Sequence, residues 1–412
     1  MKVGLHPSLS DAHIDANQPS TQRQLSLAIS AIADNHDQNL PLNLCLVLDQ
    51  SGSMHGKPLE TVKKAALNLV DNLKPHDLLA VIAFDHRAKV IVANQTGEDL
   101  AAVKDAIRKL KAGGGTAIDE GMKLAIEESF KGRQDRVSQI FLLTDGENEH
   151  GDNDRCLKLA KTSAEENITL STLGFGDHWN QDVLEAIADA AGGTMAYIEQ
   201  AADAINEFNR LFNRAQSVGL TNAHVILELI PEVRLAELKP IAQVAPETIE
   251  LTPQWEGDKI LVRLGDLLTT DSRIVLANLY ISGLNPGSHT IARVQIRYDD
   301  PALGQENLYS ETMNVMAEVQ AAYEPEPNPE VQKSVLALAK YRQTQLAEQK
   351  LQQGDRLGAA TMLQTAAKTA IQMGDEGGAT ILQNNATRLQ SGEEMSAADQ
   401  KRTRIVSKTI LQ

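Results

Sequence analysis

The sequence predicts an α/β domain with a doubly wound, mostly parallel sheet, inserted in a β-sandwich and followed by a C-terminal helical bundle. Three observations predict it. Between Leu42 and about Ser217, short apolar runs alternate with stretches of helical apolar spacing, as strands and helices do in βα units. After Gly219 the period changes to two, with Pro, Gly and Asp turns between segments. Beyond a Pro-rich stretch at Glu324 to Glu330, the chain becomes rich in Ala, Leu, Gln and Lys and is broken at glycines.

In chain order, the apolar runs of the α/β block are Leu42 to Leu48, Leu78 to Phe84, Lys89 to Val92, Val137 to Leu143, Thr169 to Phe175 and Met195 to Ile198. The helical stretches between and after them are Leu59 to Leu73, Glu98 to Leu110, Ile118 to Phe130, Asp154 to Glu166, Gln181 to Ala191 and Ala202 to Gln216. The link from Phe84 to Lys89 is too short for a crossover helix and predicts a hairpin with one antiparallel edge strand. Five alternating segments follow, at Ala223 to Ile230, Lys259 to Leu264, Ile274 to Ile281, Ile291 to Tyr298 and Thr312 to Val319; they read as a sandwich. Leu25, Leu27 and Ile29 alternate in the same way, so a strand ahead of the α/β block is expected to return to that sandwich. Repeated prolines stiffen the linker, and Gly354, Gly374 to Gly378 and Gly392 divide the tail into three or four helices. The divisions are 1–41 (N-terminal segment contributing one or more strands to the sandwich), 42–217 (α/β domain), 218–323 (sandwich), 324–330 (Pro-rich linker) and 331–412 (helical domain).

A length of 412 residues excludes one small domain. The net charge of −16 disfavours phosphate backbones and anionic lipid, making nucleic acid or a membrane surface a poor partner. The segment from Asn328 carries 11 basic against 8 acidic side chains, a balance of +3 that leaves −19 on the rest. No run approaches the roughly 18 apolar residues of a membrane span, and Met1 to Ser20 lacks a signal-peptide core. Two isolated cysteines, Cys45 and Cys156, offer neither a disulfide framework nor zinc spacing and read as small buried hydrophobes in a reducing, cytoplasmic compartment.

The first strand ends in Asp49-Gln50-Ser51-Gly52-Ser53, an acid and two hydroxyls at alternate positions on a loop. Loops after the carboxyl ends of parallel strands converge on one face. On that face Gly113-Gly114-Gly115-Thr116 supplies a third hydroxyl, and Thr144-Asp145-Gly146 a second carboxylate. The set is all oxygen, which suits a hard cation such as Mg²⁺. Three neutral hydroxyls and at most two carboxylates leave such an ion incompletely coordinated and electrophilic, open to a partner's carboxylate.

Asp49-x-Ser51-x-Ser53, Thr116 in Gly-Gly-Gly-Thr-Ala-Ile, and Asp145 in Leu-Leu-Thr-Asp-Gly resemble the metal-ion-dependent adhesion site (MIDAS) of von Willebrand factor type A (VWA) domains. The resemblance covers Leu42 to about Ser217, including Gly174-Phe175-Gly176-Asp177, and extends in architecture to soluble bacterial proteins labelled calcium-activated chloride channel homologues. It implies a Rossmann-like fold and a Mg²⁺ site, with Mn²⁺ or Ca²⁺ as substitutes. Ser51, Ser53 and Thr116 would bind directly or through water, Asp49 and Asp145 directly or through bridging water, and a protein ligand's Asp or Glu would complete the shell.

Around that site, His55, Glu147 and Trp179 are candidates for a partner-binding rim. A phosphate-loop reading of Gly52-Ser53-Met54-His55-Gly56-Lys57-Pro58 fails, because three residues separate the glycines where four are needed and Pro58 takes the Ser or Thr position. A metal-dependent hydrolase with Ser51 or Ser53 as nucleophile and His55 as base is weak, since His55 shares their loop. The expectation is a non-enzymatic interaction module. The alternative is an accessory subunit that presents clients to a separate ATPase, as in chelatase systems.

Overall fold

A computed structural model describes residues 1–33, 40–97, 100–176, 178–200 and 202–408. The strands of the α/β sheet lie in the order Ala88–Thr96, Leu78–Phe84, Leu42–Asp49, Val137–Thr144, Ile168–Phe175, Gly192–Ile198. All neighbours are parallel except the predicted hairpin of Leu78–Phe84 with Ala88–Thr96. Leu42–Asp49 stands where the order reverses, so the carboxyl ends of it and its neighbours open a crevice. This strand, Val137–Thr144 and Ile168–Phe175 are buried at every residue, which is why each carries apolar residues facing both ways, with a few buried polar ones such as Asn43, Gln139 and Ser171 among them.

Helices α1 (Lys57–Asp71), α2 (Leu100–Arg108) and α6 (Ala204–Gln216) cover one face of this sheet. Helices α3 (Ile118–Lys131), α4 (Asn153–Glu165) and α5 (Gln181–Ala190) cover the other. Glu98, where the second helix was expected to begin, lies outside the described residues. Cys45 and Cys156 are free and sit in the second of these cores, where burial pushes both thiols well above their ordinary range.

The sandwich is two sheets over a shared aliphatic core, antiparallel except where His13–Asp15 runs parallel to Met313–Gln320. Strand Ser20–Ile32 pairs with Arg273–Ser282, so the chain ahead of the α/β block does return to the sandwich. It also pairs with Lys2–Leu9, an edge strand the sequence reading missed because Pro7 and polar neighbours obscure its alternation. The expected linker is pinned to this body: Tyr323 Oη donates to Asp11 at 2.7 Å, and the Glu326 amide donates to the same carboxylate at 3.3 Å.

Four helices follow among the described residues, α7 (Pro329–Gln352), α8 (Arg356–Gln372), α9 (Glu376–Gln390) and α10 (Ala397–Lys408). Asn328 caps α7 through its side chain, with Pro329 at the first helical position. The tail then docks twice. Val331, Leu338 and Tyr341 of α7 pack on Val244 and Leu276 of the sandwich, while α10 lays its basic face on the acidic α5. There Lys408 Nζ lies 2.5 Å from Glu185 and 3.1 Å from Asp189, and Arg404 Nε lies 2.6 Å from Glu185. Burial works against the Lys408 cation, yet Asp189 and Glu185 outweigh it and hold the ammonium above its usual range.

Lys408→Met would leave Glu185, whose side chain is 5% exposed, with a weakened set of cations. The expected cost is about 3 kcal/mol in chemical denaturation. Adding Glu185→Gln should recover part of it in a double-mutant cycle; a loss below about 0.5 kcal/mol would show that this contact does not hold the tail. Among the described residues, no helix is long and apolar enough to cross a membrane.

Candidate metal centre

Three loops at the crevice are tied by backbone hydrogen bonds. Gly52 N donates to Gly114 O at 2.9 Å, and Gly113 N to Gln50 O at 2.8 Å, joining the first two. His150 N donates to Thr116 O at 2.9 Å, and Asn148 Oδ1 accepts from Ile118 N at 2.7 Å, joining the second and third. Gly114 makes this closeness feasible: its φ is +85°, and a Cβ there would stand 2.7 Å from His86 Nδ1.

Within this frame the five predicted residues come together. Ser53 Oγ donates to Asp145 Oδ1 at 2.6 Å and lies 3.0 Å from Ser51 Oγ. Thr116 joins them across Gly146, where a Cβ would stand 3.3 Å from Thr116 Oγ1 and 3.7 Å from Ser53 Oγ. Asp49 is fully buried behind them and held at both oxygens, by Ser51 N at 2.7 Å and Thr144 Oγ1 at 2.5 Å. Neither serine is spent on helix capping. Ser51 precedes the Gly52–Met54 turn without a side-chain cap bond, and Gly56 stands at the α1 N-cap.

Electrostatics match a cation site. Burial pushes the Asp49 carboxyl up to about 6, opposed by its bonds from Thr144 and Ser51, with nearby Asp145 adding to the rise. Burial also raises Asp145 despite the Ser53 bond. Two acids that resist ionising behind three hydroxyls form a donor set suited to a hard divalent ion, which would supply the opposing charge. The cleft in front of them is about 490 Å³, with Ser51, Ser53, Thr116, Asp145, Glu147 and His178 in its wall. Gly146→Ala crowds the Thr116 hydroxyl and brings a methyl group into contact with that of Ser53. It should weaken Mg²⁺ binding by about tenfold, read by titration, while the metal-free melting temperature stays within a few degrees.

Thr144 was missed by the sequence reading. Register was the available signal, because Leu48 pairs with Leu143 and so brings the next residues, Asp49 and Thr144, side by side. His178, another wall residue, was passed over for its neighbour Trp179. His55 is exposed beyond the cleft wall, Glu147 is exposed at its mouth, and Asp177 lies outside the described residues.

Trp179 requires a correction. Its side chain is packed in place and does not project at the rim: it is 3% exposed, donates Nε1–H to Gly176 O at 2.6 Å, and lies on the bare backbone of Gly174. Tyr197 flanks the ring at 5.7 Å, and Lys401 Nζ from α10 caps it at 4.0 Å. The indole seals the tail against the α/β domain.

Comparison with known proteins agrees with this architecture. A von Willebrand factor type A domain model matches residues 43–211, and a model of the Sll0103-like C-terminal alpha-helical domain matches residues 329–412. A von Willebrand factor type A protein from Catenulispora acidiphila superposes with a TM-score of 0.83, over 99% of this chain and 97% of that one, at 18% identity. The ArnB paralog VWA2 from Sulfolobus acidocaldarius superposes at 0.58, over 99% and 98%, at 15% identity. These two show a shared fold. The chain is also 61% identical to the uncharacterized protein sll0103 of Synechocystis sp., over 100% of its own length and 98% of that protein. The chain therefore belongs to the sll0103 family of VWA-domain proteins, with a VWA domain and a C-terminal helical domain.

Proposed function

We propose that this chain is a metal-dependent interaction module that binds the Asp or Glu of a protein partner through Mg²⁺, with Mn²⁺ or Ca²⁺ as substitutes. VWA domains are a protein-interaction family, and the finer reading concerns how this one makes its contact. The observation that carries it is the convergence of Ser51, Ser53, Thr116 and Asp145 in front of the buried, doubly bonded Asp49. When bound, the ion would supply an electrophilic centre for an anionic ligand.

The protein's own groups do the positioning. Thr144 and the Ser51 amide hold Asp49 in place, and Asp145 orients the Ser53 hydroxyl. The acidic body discourages indiscriminate anions, so a partner carboxylate succeeds only where its surroundings also fit. The reading is non-enzymatic and assigns the protein to the cytoplasm, in keeping with its two free, buried cysteines.

Affinity capture with Mg²⁺ or with a chelator, followed by mass spectrometry, tests it. Partners should be released by the chelator and absent from an Asp145→Ala bait. A partner set identical under both conditions and with both baits would contradict metal-dependent binding.

A further inference from the structure

A second cavity, of about 620 Å³, lies between the metal cleft and the helical tail. The two share Glu147 and His178 in their walls, so they adjoin. Its apolar side comes from the tail: half-buried Leu351 of α7 and Met395, and exposed Ala397 at the start of α10, backed by the buried Ala347 and Leu363. Its acidic side is formed by Glu147, Asp182 and Glu348. The cations at this wall are already engaged, Arg404 with Asp182 and Glu185, and Lys401 over the Trp179 ring. Glu147 makes no ion pair among the described residues, and Glu348 reaches Arg404 only at 4.0 Å.

We propose that this cavity is the second half of the partner site, and that it takes an extended protein segment with an apolar side chain beside its metal-seeking Asp or Glu and a Lys or Arg beyond. The inference rests on the metal-dependent reading of the neighbouring cleft. A carboxylate at an ion has little identity of its own, so discrimination comes from what surrounds it. A cavity of this size, apolar on one side with a few polar groups on the other, has the anatomy of a recognition pocket. Burial pushes the Glu348 carboxyl up, with Arg404 only partly opposing it, and an incoming cation would relieve that cost. Because the apolar side belongs to the tail, the docking of α10 on α5 becomes part of the binding surface.

A phage-displayed library of linear peptides with one fixed Asp, selected on the full chain in Mg²⁺ and eluted with EDTA, tests this. Enriched peptides are then synthesised and titrated by fluorescence anisotropy against the parent, Ala397→Trp, Glu348→Gln and Asp145→Ala. Ala397 is exposed, so the indole can fill the cavity without repacking the core. The expected sequences combine the Asp with a nearby apolar residue and a basic one. Ala397→Trp should weaken binding by about tenfold or more with Mg²⁺ affinity unchanged, and Glu348→Gln should erode the preference for the basic residue. EDTA-sensitive peptides that bind Ala397→Trp and Glu348→Gln as they bind the parent would overturn the cavity's role and leave the metal reading standing. Peptides that ignore EDTA and bind Asp145→Ala equally, or no EDTA-eluted peptide at all, would overturn both.

Discussion

Asp375→Ala lowers the unfolding free energy by about 3–5 kcal/mol, an unusually large effect for a polar substitution at a helix start. Asp375 does two things at once. It lies 2.8 Å from Lys340, whose side chain is 1% exposed, and its other oxygen accepts from Gly378 N at 2.8 Å to cap α9. Removing the carboxylate takes away the buried ammonium's acidic partner and opens the cap together. Gly378 belongs to the same device, since a Cβ there would stand 2.3 Å from Asp375 Oδ2. Asp355 caps α8 by the same pattern with Gly358, but it is exposed and pairs with the accessible Lys350, so Asp355→Ala should cost clearly less. Urea denaturation of both variants measures the contrast. Equal losses would show that the buried pair adds nothing beyond the cap, and Asp375→Ala with Lys340→Met should recover much of the larger one.

Asp49→Asn is expected to stabilise the metal-free protein at neutral pH and to abolish its response to Mg²⁺. In the parent, burial raises the Asp49 carboxyl to about 6 from an unfolded value of 3.8. The folded state then holds a proton that the unfolded state has released. This contribution therefore falls as pH rises from about 4 to about 6, and stays lost above. Asparagine is nearly isosteric and has no charge to desolvate, so it avoids a penalty of about 2–3 kcal/mol at pH 7. Its amide can still accept from the Ser51 amide and face the Thr144 hydroxyl. The same linkage predicts that Mg²⁺ raises the parent's melting temperature more at pH 7.5 than at pH 5, where protons compete for Asp49. Thermal melts of parent and variant at both pH values, with and without Mg²⁺, read every part of this. An equal Mg²⁺ shift at the two pH values would contradict it.

Much of the fold was legible in the sequence because burial on both faces leaves a plain mark. The central strands carry apolar runs such as Leu44 to Leu48 and Ile140 to Leu143, and the five site residues stand at or just beyond strand ends or at a glycine-rich loop. Other features depend on pairings that one sequence cannot express. Thr144 acquires its role from the register of two strands joined across some ninety residues. Trp179 looked like a rim residue until the bare Gly174 beneath it and Lys401 from α10 above it came together. The apolar residues of α7 are divided between its own bundle and the sandwich, so spacing alone did not reveal that Leu338 and Tyr341 leave the bundle. The uneven charge was visible as a number, −19 against +3, but its meaning came from the meeting of α10 with α5.

Isothermal titration of Mg²⁺ into chelator-stripped protein at pH 7.5 tests the central claim most directly. One ion per chain is expected for the parent, with binding lost in Asp145→Ala and strongly weakened in Ser53→Ala and Thr116→Ala. Absence of binding by the parent, or an isotherm unchanged by Asp145→Ala, would contradict the assignment of this crevice as a metal centre.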